Sequence, residues 1–191
     1  MRRVDLKHAL LLFPSPVALV TCVDRNGKPN VLTVGWFMKT SSMPPMVAVS
    51  IAPSRYSHHL IEQTGEFVLA VPTKEIIEKV HKCGRVSGRE IDKFERFGLT
   101  PIPATRVKPP LIKECVANLE CIVAGKLKTG DHTIFVGEIV EAHVNDEFYN
   151  EDEHCLDLNK AKIIISHGGE YREIGKVIAY KLNGDISLVI E

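Results

Sequence analysis

The chain has 191 residues, 45% of them apolar and 25% charged, which suits one ordinary domain with a sizeable core. Lysine plus arginine equals aspartate plus glutamate at 24 each, so net charge gives no reason to expect a nucleic-acid or acidic-membrane partner. No apolar run approaches the roughly 20 residues of a membrane span.

The N-terminal MRRVDLKHALLLF is basic and then apolar. Asp5, Lys7 and His8 interrupt the apolar run, which predicts an amphipathic helix rather than a signal peptide. PVALVTCVD (16–24) reads as a strand, Asn26-Gly27 as a hairpin turn, and PNVLTVGWFMK (29–39) as its partner. SSMPP (41–45) breaks the pattern before a third strand, MVAVSI (46–51). Ser54 to Thr64 is a helix with Ser54 as its cap and Gly65 at its end. EFVLAVP (66–72) is a strand, Thr73 caps the helix KEIIEKVHKC, and Gly84 stops it. IDKFERFG is a short helix, and the proline-rich LTPIPATRVKPPLI is an extended connection. ECVANLECIVAGKL (114–127) and HTIFVGEIVEAHV (132–144) form a hairpin across KTGD. NDEFYNEDEH (145–154) is acidic and exposed, and AKIIISHG is a short strand. GKVIAYKL and ISLVI are either two strands turning at Asn183-Gly184 or an exchanged arm. Hairpin-linked strands with short helices between them predict a closed antiparallel barrel, not a doubly wound sheet.

The five cysteines, Cys22, Cys83, Cys115, Cys121 and Cys155, form no C-x-x-C pair. Reduced, mostly buried thiols in a cytoplasmic protein are expected. His81-x-Cys83 and His154-Cys155 match no closed metal site, so no metal is expected. No G-x-G-x-x-G, Walker A, G-x-S-x-G or H-E-x-x-H signature is present. Function must therefore come from polar groups gathered at strand ends.

Three polar clusters qualify. Lys39-Thr40-Ser41-Ser42 closes a strand; Ser50 and Ser54 to His58 surround Pro53; Cys83 to Gly88 precedes Asp92-Lys93. Singly, each has a structural explanation as turn formers, helix caps or a helix-start salt bridge. Together they describe an apolar pocket with an anion site at a helix start, suited to a phosphorylated cofactor with a flat ring. Trp36 and Phe37 alternate on one strand, so one should face inward, and the core is the default place for either.

The order of PSPVALVTCVDRNGKPNVLTVGWFMKTSSMPPMVAVSI, R-Y-S-H, GEFVLAVP, CGRVSGREIDKF, LEC and GDHTIFVGEIV resembles flavin reductase-like proteins with an FMN-binding split barrel, over about residues 10–165. This family includes flavin reductases, flavoredoxins and archaeal ferric reductases. The resemblance implies a six-stranded antiparallel Greek-key split barrel with short peripheral helices, a homodimer, and non-covalent FMN. Residues 1–191 are then a single domain, with 168–191 a C-terminal arm or extra hairpin. By the same match Arg55 and Ser57 face the phosphate, and Ser50, Ile51 and Ala52 run beside the ring. Thr40, Ser41 and Ser42 bond the cofactor from the neighbouring strand end, with Asn30 and Thr33 near the ring. Ser87 and Lys93 reach the phosphate, within the chain or across the dimer, and His132 positions NADH or NADPH. The implied activity is hydride transfer from nicotinamide to bound FMN and onward to free flavin, a ferric chelate or a partner protein. A flavoredoxin-like carrier reduced by a protein partner is the alternative, and a binding module for another phosphorylated ligand is the third reading.

Overall fold

A computed structural model describes residues 1–175 and the backbone of 179–182 and 185–188. The protein is mostly β, with one large antiparallel sheet and a few short helices. Its strands are β1 (Ala18–Val23), β2 (Pro29–Val34), β3 (Phe37–Ser42), β4 (Pro45–Ile51), β5 (Glu66–Val71), β6 (Ala117–Thr129) and β7 (His132–Val144). They lie in the order β2-β1-β5-β6-β7-β4-β3, seven strands in the sheet where six were expected.

The extra strand comes from a break in the predicted run 29–39. At Gly35 and Trp36 the chain leaves β2 and restarts as β3, and the Ser50 amide donates to the Trp36 carbonyl at 2.8 Å. The sheet curls until β2 and β4, near opposite ends of the strand order, share one interior. Leu32 and Val34 meet Val47, Val49 and Ile51 there, around Phe67 and Phe135. Leu60 and Ile61 of helix α1 (Tyr56–Thr64) complete this core.

β1 is buried at every position. Its alternation explains this: Ala18, Val20 and Cys22 face the barrel interior, while Leu19 faces a second core. That outer layer is built by α2 (Ile77–Arg85) and α3 (Lys93–Phe97), through Val80, Cys83 and Phe94 against Val31. The sequence placed the end of α2 at Gly84, but the helix runs one residue further. The glycine serves close packing instead: a Cβ there would lie 3.2 Å from the Thr33 Cβ. Nor does Ser54 cap α1; Arg55 holds the N-cap position, with no side-chain cap bond. Asp92 does cap α3, accepting from the Glu95 amide at 3.1 Å.

The proline-rich connection is held down by one buried carboxylate. Glu120, fully buried on β6, accepts from the amides of Thr105, Arg106 and Val107, the Thr105 hydroxyl and His143 Nε2. Burial opposes its charge, but these donors together hold its pKa down at about 2.

The N-terminal segment is a 3-10 helix, Leu6–Leu12, with no buried residue. Ser15–Pro16 pairs with β8 (Ile164–His167), which continues into β9 (Glu170–Glu173). Ala179–Leu182 pairs antiparallel with Asp185–Leu188; the Asn183-Gly184 turn lies outside the described residues. Cys22, Cys83, Cys115 and Cys121 are buried free thiols and Cys155 is exposed. Among the described residues no helix is long and apolar enough to cross a membrane.

Candidate functional site

The break at Gly35-Trp36 opens a cleft between β2, the end of β4 and the start of α1. One half, about 260 Å³, runs past Val34, Gly35, Trp36, Ser50, Ile51, Ala52 and His132. The other half, about 280 Å³, is walled by Asn30, Tyr56, Ser57, Arg85, Ser87 and Lys93. Leu32, Ser54 and Arg55 line both, so the two halves form one groove.

The first half is the less charged. Trp36, 45% exposed, lays its ring 4.5 Å from that of His132 at a 35° tilt. Phe37 packs against the barrel interior instead, so of the two aromatics it is Trp36 that reaches the cleft. His132 Nδ1 lies 2.7 Å from Asp131 Oδ1. That hydrogen bond, with the histidine's charge, lowers the Asp131 carboxyl pKa. With Nδ1–H donated to a carboxylate, Nε2 is the ring nitrogen left for the cleft.

The second half is an anion site. Arg55, Arg85 and Lys93 bring three cations against one carboxylate, Glu90. The first turn of α1 adds open backbone N–H groups and the positive end of its dipole, since no side chain caps it. Ser57 is buried, and its Oγ accepts from Asn30 Nδ2 at 2.8 Å, which leaves its own O–H free to donate. Lys93 is 3% exposed and donates to the carbonyls of Val31 at 2.8 Å and Cys83 at 2.7 Å. Burial pushes its pKa down. The ammonium ties β2 to α2 while carrying charge to the floor of the groove. No Asp92–Lys93 bridge forms, because Asp92 is engaged as the cap of α3.

Asn30 Oδ1 is buried without a hydrogen-bond partner. It presses on the loop after α2, where a Cβ on Gly88 would lie 2.0 Å from it. Only glycine lets that loop close on Asn30.

Asn30, Thr33, Ser50, Ile51, Ala52, Arg55, Ser57, Ser87, Lys93 and His132 are thus brought together along one groove within one chain. The Thr33 hydroxyl, however, donates to the Val80 carbonyl and is committed to holding α2. Thr40, Ser41 and Ser42 are not brought in. They sit on the outer half of β3, lining neither half of the cleft, because the bend puts Gly35 and Trp36 at that position instead. The sequence reading missed Ser54, Tyr56, Arg85 and Asp131. Ser54, Tyr56 and Arg85 lay inside the clusters it had marked, and Asp131 lay in the turn before His132.

Residues 10–175 match the family model of the flavin reductase like domain. An uncharacterized protein of Archaeoglobus fulgidus is 45% identical over 139 residues, covering 73% of this chain and 78% of that one. A flavin reductase of Pseudomonas putida is 31% identical over 135 residues, covering 71% and 76%. The flavoredoxin of Desulfovibrio vulgaris (Miyazaki F) superposes with a TM-score of 0.86 at 29% identity, over 95% of this chain and 98% of that one.

Proposed function

The chain belongs to the flavin reductase-like domain family, and we propose that it is an FMN-binding oxidoreductase that takes hydride from NADH or NADPH. The observation that carries this reading is the polarity of the single groove. The rings of Trp36 and His132 stand at one end, which Arg55 reaches without Arg85 or Lys93; all three cations and several hydroxyls gather at the other. A flavin mononucleotide has that same polarity along its length. Its ring would lie against Val34, Gly35, Ile51 and Ala52, and its phosphate against Arg55, Arg85, Ser57, Ser87 and the first turn of α1.

FMN supplies a two-electron acceptor for hydride from nicotinamide and a donor to free flavin or a ferric chelate. The protein supplies position. Arg55 and Arg85 would neutralise the phosphate dianion, and Ser57, oriented by Asn30, would donate its O–H to it. Trp36 and His132 wall the ring end, and the Asp131 bond keeps the imidazole in one orientation. His132 thereby orients the nicotinamide; no protein acid is needed at the carbon that loses hydride.

The active form in this reading is a homodimer. Ile122 and Leu127 support it: they stand 44% and 61% exposed on the long β6–β7 hairpin, away from the groove. Sedimentation or gel filtration tests it, and a monomer would remove this element of the proposal.

The similarity to flavoredoxin supports a second reading, an electron carrier whose flavin is reduced by a protein partner. One experiment separates them. The visible spectrum of the untreated or FMN-supplemented protein is recorded, followed by anaerobic NADH and NADPH. A yellow protein that bleaches with either nucleotide is the oxidoreductase. One that stays oxidised until dithionite is added is the carrier. A colourless protein that takes up no FMN refutes both.

A further inference from the structure

The end of the groove away from Trp36 is built by the connection from α2 to α3. Arg85, Ser87, Gly88 and Glu90 line this half and not the other. The turn they form is held in place. The Glu90 amide donates to the Ser87 carbonyl at 3.2 Å, and the Arg89 amide donates to Ser87 Oγ at 3.2 Å. Gly88 lies against Asn30 with no room for a Cβ. The Arg89 guanidinium stands over the Tyr56 ring, 5.0 Å from its centre, and so covers one face of the only aromatic ring lining this half.

Glu90 stands apart from the other charges here. It is exposed, and it is the one carboxylate in a half lined by Arg55, Arg85 and Lys93. Yet none of the ion pairs among the described residues includes it. Its charge is not spent on the protein and acts on whatever enters the groove.

We propose that Glu90 is a specificity-determining residue: it favours a flavin that ends in a phosphate monoester, FMN, over one whose phosphate carries a further nucleotide, FAD. Three cations less one carboxylate leave two positive charges, which match a monoester dianion. Esterification removes one charge from that phosphate and adds a second charged phosphate beyond it. The second phosphate would meet a carboxylate that no cation neutralises, and like charges a few ångströms apart in a partly desolvated groove oppose binding. Its adenine would find the Tyr56 face already covered by Arg89. This selectivity rests on the flavin reading of the groove.

The test is equilibrium dialysis of the full chain against FMN and against FAD, read by flavin absorbance at about pH 8, where the monoester is a dianion. FMN should bind about tenfold more tightly than FAD, and the preference should shrink as ionic strength rises. Glu90→Gln should raise FAD affinity about tenfold and FMN affinity only about twofold. Glu90→Asp keeps the charge and should keep most of the preference. Equal affinity of the wild-type chain for the two flavins overturns the proposal, as does a Glu90→Gln variant that shifts both by the same factor. A preference lost equally in Glu90→Gln and Glu90→Asp also overturns it, because the side chain's shape and not its charge would then be responsible. A chain that binds neither flavin refutes the flavin reading and the selectivity with it, whereas one that binds FMN without preferring it overturns the selectivity alone.

Discussion

Gly88→Ala tests the phosphate end of the groove at its tightest point. The new Cβ would stand 2.0 Å from Asn30 Oδ1, 2.7 Å from Asn30 Cγ and 3.2 Å from Tyr56 Cδ1. Asn30 is 4% exposed and can yield only by turning toward the groove it lines. Its side chain must rotate, and the 2.8 Å bond from Nδ2 to Ser57 Oγ breaks. The lost hydrogen bond costs about 1 kcal/mol, and the displaced rotamer about 1 more. In a chain of this length, about 2 kcal/mol lowers Tm by about 4–8 °C. Ser57 loses its fixed orientation at the same time, so FMN affinity should fall about tenfold. The control is Asn30→Ala, which removes the obstacle. In that background Gly88→Ala should cost less than about 0.5 kcal/mol, giving a coupling of about 1.5 kcal/mol in a double-mutant cycle. Urea unfolding and FMN titration measure both quantities. A neutral Gly88→Ala, or strict additivity with Asn30→Ala, would refute the reasoning.

Arg55→Met should weaken FMN binding tenfold or more and flatten its salt dependence, because Arg55 lines both halves of the groove; fluorescence titration at two ionic strengths checks it. His132→Asn should leave FMN affinity within about twofold and raise KM for the nicotinamide more than it lowers kcat, which steady-state kinetics can separate. Glu120 gives a pH prediction. Its folded pKa of about 2 lies below the ordinary 4.5, so ionised Glu120 contributes up to about 3 kcal/mol above pH 4.5. That contribution fades as pH falls from about 4.5 toward 2, and Glu120→Gln should flatten the acid limb of the stability profile in urea melts. Trp36 is the only tryptophan, so FMN binding should quench most of the chain's indole fluorescence, and unquenched emission at saturating FMN would remove Trp36 from the ring end.

Much of the barrel could be read from local chemistry. Asn26-Gly27 and KTGD marked their hairpins, and strand composition located β1, β4, β5, β6 and β7 to within a few residues. The misreadings share a physical cause: a residue's local preference was overridden by a distant partner. Gly84 reads as a helix stop, but the Thr33 side chain across the layer determines its use. Ser54 reads as a cap, yet the chain enters α1 one residue later and leaves Ser54 on the cleft wall. The run 29–39 reads as one strand, and only the closing of the barrel, with Ser50 reaching back to the Trp36 carbonyl, divides it. Glu120 gives no sequence signal, because its donors come from a connection some fifteen residues earlier.

The same override explains which candidate residues fell into place. Residues at strand ends facing the bend, Ser50 to Ala52 and His132, converge because barrel closure brings β4 and β7 to one rim. Thr40 to Ser42 have the right chemistry but lie past the bend, on a strand that leads away from the rim. Within the groove the side chains divide by burial. Thr33, Lys93 and Asn30 turn inward and bond protein groups, so they set the shape of the floor. Arg55 and Arg85 remain exposed and keep their donors for a ligand. Substituting the first group should therefore change stability and affinity together, whereas substituting the second should change affinity alone.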